Sequence, residues 1–377
     1  MSKQVKILVV GDFLLKSGLT EYIFETFGKL GNKYSIDVIS YGGKNDVDSV
    51  IKSYSWKKYE VTSVHKSIIT HIKDWIKVLK QCSKKNYDII HFNYSSSWNF
   101  FPVLLAKRIL KSKIVIHSHS SYYSNVSDRK IVMWGLNLLN RIGQIIFNKR
   151  ADAKVATSEP AAYWMFRTKK NVKIINNGID LKKYDFSENK RKVYREKLNI
   201  LQDSTKALCF VGALRKLKNP DFVLEIFEEY RKLNKDSKLF VFGDGTMKKD
   251  LQRKVKQNSL LRDSVTFGGV VDNIPEILQA MDYFVFPSQS EGYGLALAEA
   301  EAAGLHAVVS NNIPNSVVIN SLTKVKSLKD SPKEWADAIY RDIDYSRKSK
   351  YQEMFDKGFD ISNVTSQIDN LYNEILE

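Results

Sequence analysis

The protein has 377 residues, 43% of them apolar and 12% aromatic, with only 7 prolines and 18 glycines. That is about twice the usual size of one domain, so two folded domains are expected, and disordered, collagen-like and mucin-like chains are excluded. Lys and Arg outnumber Asp and Glu by 59 − 42 = 17, and the excess is one-sided: residues 1–183 carry 31 basic and 13 acidic groups, residues 184–377 carry 28 and 29.

A field of this sign over the first half predicts an anionic partner such as a membrane leaflet or a phosphorylated acceptor. Simple solubility of a Lys-rich chain is the competing reading. The two cysteines, Cys82 and Cys209, lie far apart in apolar surroundings, which excludes a disulfide framework and a cysteine-rich metal site and fits a reducing compartment. Neither a signal peptide nor an apolar run of about 18 residues is present, so a cytoplasmic location, peripheral at the inner face of the membrane, is expected.

In chain order, short β-branched runs at residues 6–10, 35–40, 87–93, 113–119 and 153–158 read as strands, most followed by stretches of helical period. The pattern stops in the charge-rich stretch 180–200, where a linker is placed near 181–187. It restarts with strand-like runs at 207–211, 239–242, 265–267, 283–287 and 307–310. The expectation is an α/β protein of two doubly wound Rossmann-like domains facing across a cleft, spanning 1–183 and 184–355, with ligands beyond the carboxyl ends of the strands. Ile361, Val364, Ile368, Leu371, Tyr372 and Ile375 recur at helical spacing, predicting a terminal helix over 356–377 that returns to the first domain.

Two stretches of the basic half have amphipathic helical patterns. Residues 66–85 place Ile68, Ile69, Ile72, Trp75, Ile76, Leu79 and Cys82 on one face, with lysines mostly opposite; residues 129–150 carry Trp134, Leu138, Ile142, Ile145 and Ile146. Each apolar face is expected either to pack on the sheet or to lie on anionic lipid.

The most informative segment runs Phe286-Pro287-Ser288-Gln289-Ser290-Glu291-Gly292-Tyr293-Gly294-Leu295-Ala296-Leu297-Ala298-Glu299 and on to Gly304. A strand ends, a glycine-bearing loop follows, and a small-residue helix opens near Gly294, where unsatisfied amides and the macrodipole favour a phosphate. Glu291 and Glu299 would repel that phosphate at close range but are suited to pairs of sugar hydroxyls. The combination predicts a sugar nucleotide.

These residues resemble those of family 4 of the retaining nucleotide-sugar glycosyltransferases, which have the GT-B fold. The likeness extends to Phe210-Val211-Gly212-Ala213-Leu214, Lys218-Asn219-Pro220, Phe242-Gly243-Asp244-Gly245, the run 277–282, and Asn176-Asn177-Gly178-Ile179-Asp180. Within the family it looks most like bacterial capsule and exopolysaccharide enzymes. The resemblance implies a metal-independent transferase that moves a hexose or N-acetylhexosamine from a UDP-sugar to a glycan or isoprenoid-diphosphate-linked acceptor held by the N-terminal domain. It assigns Glu291 to the donor sugar, Glu299 to the ribose and Lys218 to the diphosphate. Gly243, Gly245, Gly292, Tyr293, Gly294 and Leu295 fall in the donor-binding motifs, and the loop at Val271 is implied to hold the base. Ala213 stands where the family has an arginine, and Arg215 is the nearby candidate to replace it. Gly18 stands in the family's glycine-rich loop before the first helix.

A histidine near the reacting centre is also implied. His117 and His119 are expected to point to opposite faces of a strand end, with His119 entering the site and His117 structural. The six histidines lack zinc-ligand spacing, and Asp46-Val47-Asp48 and Asp342-Ile343-Asp344 are read as solvated acids, so no metal is expected. Lys248 at the third glycine position of Gly243-Asp244-Gly245 argues against NAD. Nucleic-acid binding lacks any recognised module. The other class that remains is a catalytically silent homologue acting as a binding or scaffold subunit.

Overall fold

The structure is a computed structural model and describes residues 4–14, 17–42, 47–123, 129–342 and 346–377. It divides into two compact units, 1–178 together with 361–377, and 179–360.

Among the described residues, the first unit contains β1 (Val5–Gly11), β2 (Tyr34–Ser40), β3 (Lys57–Glu60), β4 (Ile89–Tyr94), β5 (Lys113–Ser118), β6 (Ala153–Ala156) and β7 (Lys173–Ile174). They form one parallel sheet in the order β3-β2-β1-β4-β5-β6-β7. The central strands read as unbroken apolar runs because helices cover both faces. Ile7 and Val9 of β1 face one apolar layer; Leu8 and Val10 face the other. β3 and β7 were not legible as strands, and both are edges. Each carries lysine, the residue type that protects an open sheet edge while interrupting the apolar pattern.

The first layer is completed by the C-terminal helix Ile361–Leu376, which buries Ile361, Val364, Ile368, Leu371 and Tyr372 against the same cluster as Ile7, Phe27 and Ile89. Full burial of such a side chain stabilises by about 2 kcal/mol. The helix therefore returns to the first unit.

Helix Ile68–Ser83, capped by the Ser67 hydroxyl, which accepts from the Thr70 amide, uses its apolar face on the sheet: Trp75, Val78, Leu79 and Cys82 are buried in the second layer. Sheet packing is the outcome there, with Ile68 and Ile69 left exposed on the first turn.

The second unit contains β8 (Lys206–Val211), β9 (Ser237–Phe242), β10 (Val265–Gly269), β11 (Tyr283–Phe286), β12 (His306–Ser310) and β13 (Thr323–Lys326), parallel in the order β10-β9-β8-β11-β12-β13. β13 is another lysine-bearing edge, with no apolar run to mark it in the sequence. The stretch expected as a linker is folded into this unit. Leu181 is fully buried in its core, and helix Glu188–Lys197 is fastened by Arg191 and Arg195, which donate to the two carboxylate oxygens of Asp282 at 2.6 and 3.3 Å. Both sheets thus belong to the expected α/β class.

Candidate functional site

In the second unit the loops leaving β8, β9, β10 and β11 are bonded to one another. The Gly212 amide donates to Phe242 O at 3.0 Å and Gly243 N to Gly269 O at 2.7 Å; Leu214 N donates to Asp244 O at 2.9 Å and Gln289 N to Leu217 O at 2.7 Å. Gly243 has φ +132°, and a Cβ there would stand 1.9 Å from the Gly212 carbonyl oxygen, so only glycine lets these two loops touch. Gly245, Arg215 and Val271 lie in the same loops: the Gly245 amide donates to Asp244 Oδ1 at 2.7 Å, Arg215 is exposed at the start of the turn Lys216–Lys218, and Val271 is partly buried.

Within this ring of loops, Lys218 Nζ donates to both carboxylate oxygens of Glu291, at 2.6 and 2.7 Å. Glu291 is 5% exposed, and the ammonium sits 5.2 Å from the centroid of the Phe286 ring. A buried carboxylate must be paired, and here the partner is the cation that the resemblance assigns to a diphosphate. Gly294, at φ +99°, opens helix Leu295–Ala302, with Glu291 Cγ 3.9 Å from where its Cβ would be. Gly292 and Tyr293 are buried in this turn, and burial raises the Tyr293 hydroxyl well above its usual range. Glu299 is half-buried one turn into the helix. The second unit therefore gathers Arg215, Lys218, Gly243, Gly245, Val271, Glu291, Gly292, Tyr293, Gly294, Leu295 and Glu299 at and just beyond the carboxyl ends of its strands.

Glu301 lies 200° around the helix from Glu299 and does different work. It is fully buried, accepts from the Ile319 amide at 2.9 Å and from the Thr323 hydroxyl, and burial raises its carboxyl to about 7. Nothing in the residue pattern distinguishes the two glutamates, because direction around the helix depends on what packs against it.

Gly18 and His119 belong to the first unit. Gly18 is the first residue of helix Gly18–Phe27 after β1. His119 follows β5, and its Nε2 donates to Asn93 Oδ1 at 2.9 Å; Asn93 Nδ2 in turn donates to Val10 O at 3.3 Å, which fixes that orientation. The buried Nδ1 of His119 has no partner among the described residues. His117 does not diverge from it. The two rings are 4.1 Å apart, because residues two apart on a strand share a face, and the expectation of opposite faces is corrected on that geometry. His117 Nδ1 is 3.3 Å from His91 Nε2, and His91 Nδ1 is 2.7 Å from the Tyr372 hydroxyl of the C-terminal helix. Burial pushes His91 down to about 3 and holds His117 and His119 well below their usual value. Asn93 is not singled out by the sequence pattern; a buried polar residue near the carboxyl end of a central strand is the signal that marks it.

No cluster of three or more His, Cys, Asp or Glu suited to a metal occurs among the described residues. Asp48 pairs with Lys58, and Asp342 with His306 and Lys324; Asp46 and Asp344 lie outside the described residues. No described helix is long and apolar enough to cross a membrane.

The description Glycosyltransferase Family 4 matches residues 17–183, and Glycosyl transferases group 1 matches residues 190–356. The two matches fall on the two halves and together cover most of the chain: the protein belongs to the glycosyltransferases built from these two halves, with the GT-B fold. Among solved structures, that of Anabaena Alr3699/HepE in complex with UDP and glucose has a TM-score of 0.79 at 16% identity, covering 98% of this chain and 100% of that one. The capsular polysaccharide biosynthesis glycosyltransferase CapH of Staphylococcus aureus is 23% identical over 98% of each chain. The UDP-Gal:alpha-D-GlcNAc-diphosphoundecaprenol alpha-1,3-galactosyltransferase of Escherichia coli is 28% identical over 68% of this chain and 66% of its own. The protein is an enzyme of this class, a glycosyltransferase.

Proposed function

We propose that the protein transfers a hexose or N-acetylhexosamine from a UDP-sugar, with retention of anomeric configuration and without a metal, to a lipid-linked or saccharide acceptor in surface polysaccharide assembly. The single observation that carries the donor half is the Lys218–Glu291 pair, its carboxylate buried and its lysine partly exposed, beside the start of helix Leu295–Ala302. A diphosphate accepted by Lys218 and the first amides of that helix releases the Glu291 oxygens to take hydroxyls of the sugar, while Glu299 takes those of the ribose. The main chain at Gly243, Gly245 and Val271 faces the nucleotide. The uridine choice is supported by the HepE complex and by the galactosyltransferase named above, whose diphosphoundecaprenol acceptor also supports an isoprenoid-diphosphate acceptor here.

The chemistry then needs no enzyme nucleophile. The bond from the anomeric carbon to the acceptor oxygen forms as its bond to phosphate breaks, and the acceptor proton passes to the departing UDP. Lys218, the helix amides and Arg215 stabilise the leaving charge, an effect worth about 3 kcal/mol per contact. The resemblance assigns His119 and Gly18 to the transferred sugar. The strongly basic first half supports an acceptor at an anionic membrane surface.

UDP release across a panel of UDP- and GDP-sugars, with product anomeric configuration read by NMR and activity compared with and without EDTA, tests the proposal. Release from a UDP-sugar that EDTA leaves unchanged, with an α product from an α donor, is expected. Donor binding without release on any acceptor would overturn the reaction in favour of a silent binding subunit.

A further inference from the structure

Helix Lys130–Arg150 is turned inside out. Its buried residues are Asn140, Gly143, Gln144 and Phe147, whereas Ile131, Trp134, Leu138, Ile142 and Ile145 are exposed, Ile131 by 79%, Trp134 by 68% and Ile145 by 58%. These five recur at intervals of three and four, so they form one stripe that runs about 21 Å along the helix, with Lys149 one turn beyond it.

The orientation is fixed by polar contacts on the inner side. Asn140 Oδ1 accepts from the amide and hydroxyl of Ser97 at 2.9 and 2.8 Å, Gln144 donates to Trp164 O at 2.8 Å and Asn148 to Phe166 O at 2.7 Å. A Cβ at Gly143 would stand 1.8 Å from Ser97 O, so the helix backbone meets that loop directly. Rotating the helix to bury the apolar stripe would break each of these contacts. The outward apolar face is therefore specified by the fold.

Its charge identifies the occupant. The helix contains Lys130, Arg141, Lys149 and Arg150, is preceded by Arg129 and has no acidic residue. A second copy on this face would bring the same cations against it, whereas an anionic bilayer meets both the cations and the apolar stripe. We propose that helix Lys130–Arg150 seats the enzyme on an anionic lipid surface, with Trp134, Leu138, Ile142 and Ile145 entering the headgroup boundary. The assignment rests on the membrane-side reading above and gives it a location. It separates this helix from Ile68–Ser83, whose apolar face is already used by the sheet.

Flotation of the full chain with vesicles of phosphatidylcholine containing phosphatidylglycerol tests it, alongside UDP binding in vesicle-free solution as a separate readout of the donor site. The wild type is expected to float with these vesicles and roughly tenfold less with phosphatidylcholine alone. Trp134→Ser with Ile142→Ser, both at exposed positions, is expected to lose partitioning by about tenfold or more while thermal unfolding and UDP binding match the wild type. Ile68→Ser with Ile69→Ser is expected to float like the wild type. Flotation of the Trp134/Ile142 variant equal to wild type overturns the proposal, as does a wild type that stays with the unbound fraction or forms a dimer that this variant splits. Vesicle binding by a chain that fails to bind UDP supports the seating and counts against the donor reading alone.

Discussion

Lys218 Nζ lies 2.6 and 2.7 Å from the two oxygens of Glu291, a carboxylate that is 5% exposed. The two residues are 73 positions apart and meet because β8 and β11 are neighbours, so each strand delivers its following loop to the same place. One ionic pair thus links the phosphate-binding and sugar-binding halves of the proposed donor site.

Glu291→Gln keeps an acceptor for Lys218 and is expected to change unfolding free energy by less than about 1 kcal/mol while lowering kcat/KM by 100-fold or more, roughly 3 kcal/mol. Lys218→Ala leaves the buried carboxylate without its cation and is expected to cost both activity and about 2 kcal/mol of stability in the second unit. Urea unfolding beside UDP release separates the two effects.

Ala213 occupies the position where the family's arginine contacts phosphate. Ala213→Arg is expected to tighten UDP binding by roughly fivefold, about 1 kcal/mol, through an added charge-assisted hydrogen bond. Arg215→Ala is expected to weaken it in the natural chain. Calorimetric titration with UDP measures both, and unchanged affinity in Arg215→Ala would remove that residue from the phosphate site.

Gly243→Ala puts a methyl group where the Gly212 carbonyl oxygen stands 1.9 Å away, on a backbone with φ +132°. The expected loss is about 3 kcal/mol in the second unit, with weaker UDP binding as the two loops separate. Chemical unfolding followed by a probe in each unit shows whether the first unit keeps its midpoint.

The buried histidines give the first unit a signed pH dependence. His91, His117 and His119 titrate below the 6.5 of an unfolded imidazole, His91 at about 3, because burial disfavours their charged forms. As pH falls below 6.5 the unfolded chain binds more protons than the folded one, so stability is lost, by up to about 1.4 kcal/mol per pH unit for each histidine. Asp12, raised to about 6 by burial from 3.8, acts in the opposite direction between those values. Three groups against one leave a net loss on acidification. His91→Gln is expected to make the urea midpoint less sensitive to pH between 6.5 and 5.

Features set by local pattern were legible in the sequence: the central apolar strands, the glycine-bearing turn before Leu295, and the terminal helical period. Features set by packing were not. β3, β7 and β13 are lysine-bearing edges whose strand character comes from a neighbour. Glu299 and Glu301 look alike in the chain, yet Glu301 is turned inward to Ile319 and Thr323. The shared face of His117 and His119 follows from the two-residue repeat of a strand, against the expectation of opposite faces.

Because Ile361–Leu376 supplies Ile368 and Tyr372 to the cluster around Ile7 and Phe27, the unit made before residues 179–360 lacks one wall until residues 361–376, made after them, emerge from the ribosome. Residues 179–360 are complete before that moment. In the nascent chain the order of maturation is therefore inverted, and a premature stop codon shortly before Ile361 would leave the later-made half intact and the earlier-made half with an open flank for chaperones and proteases.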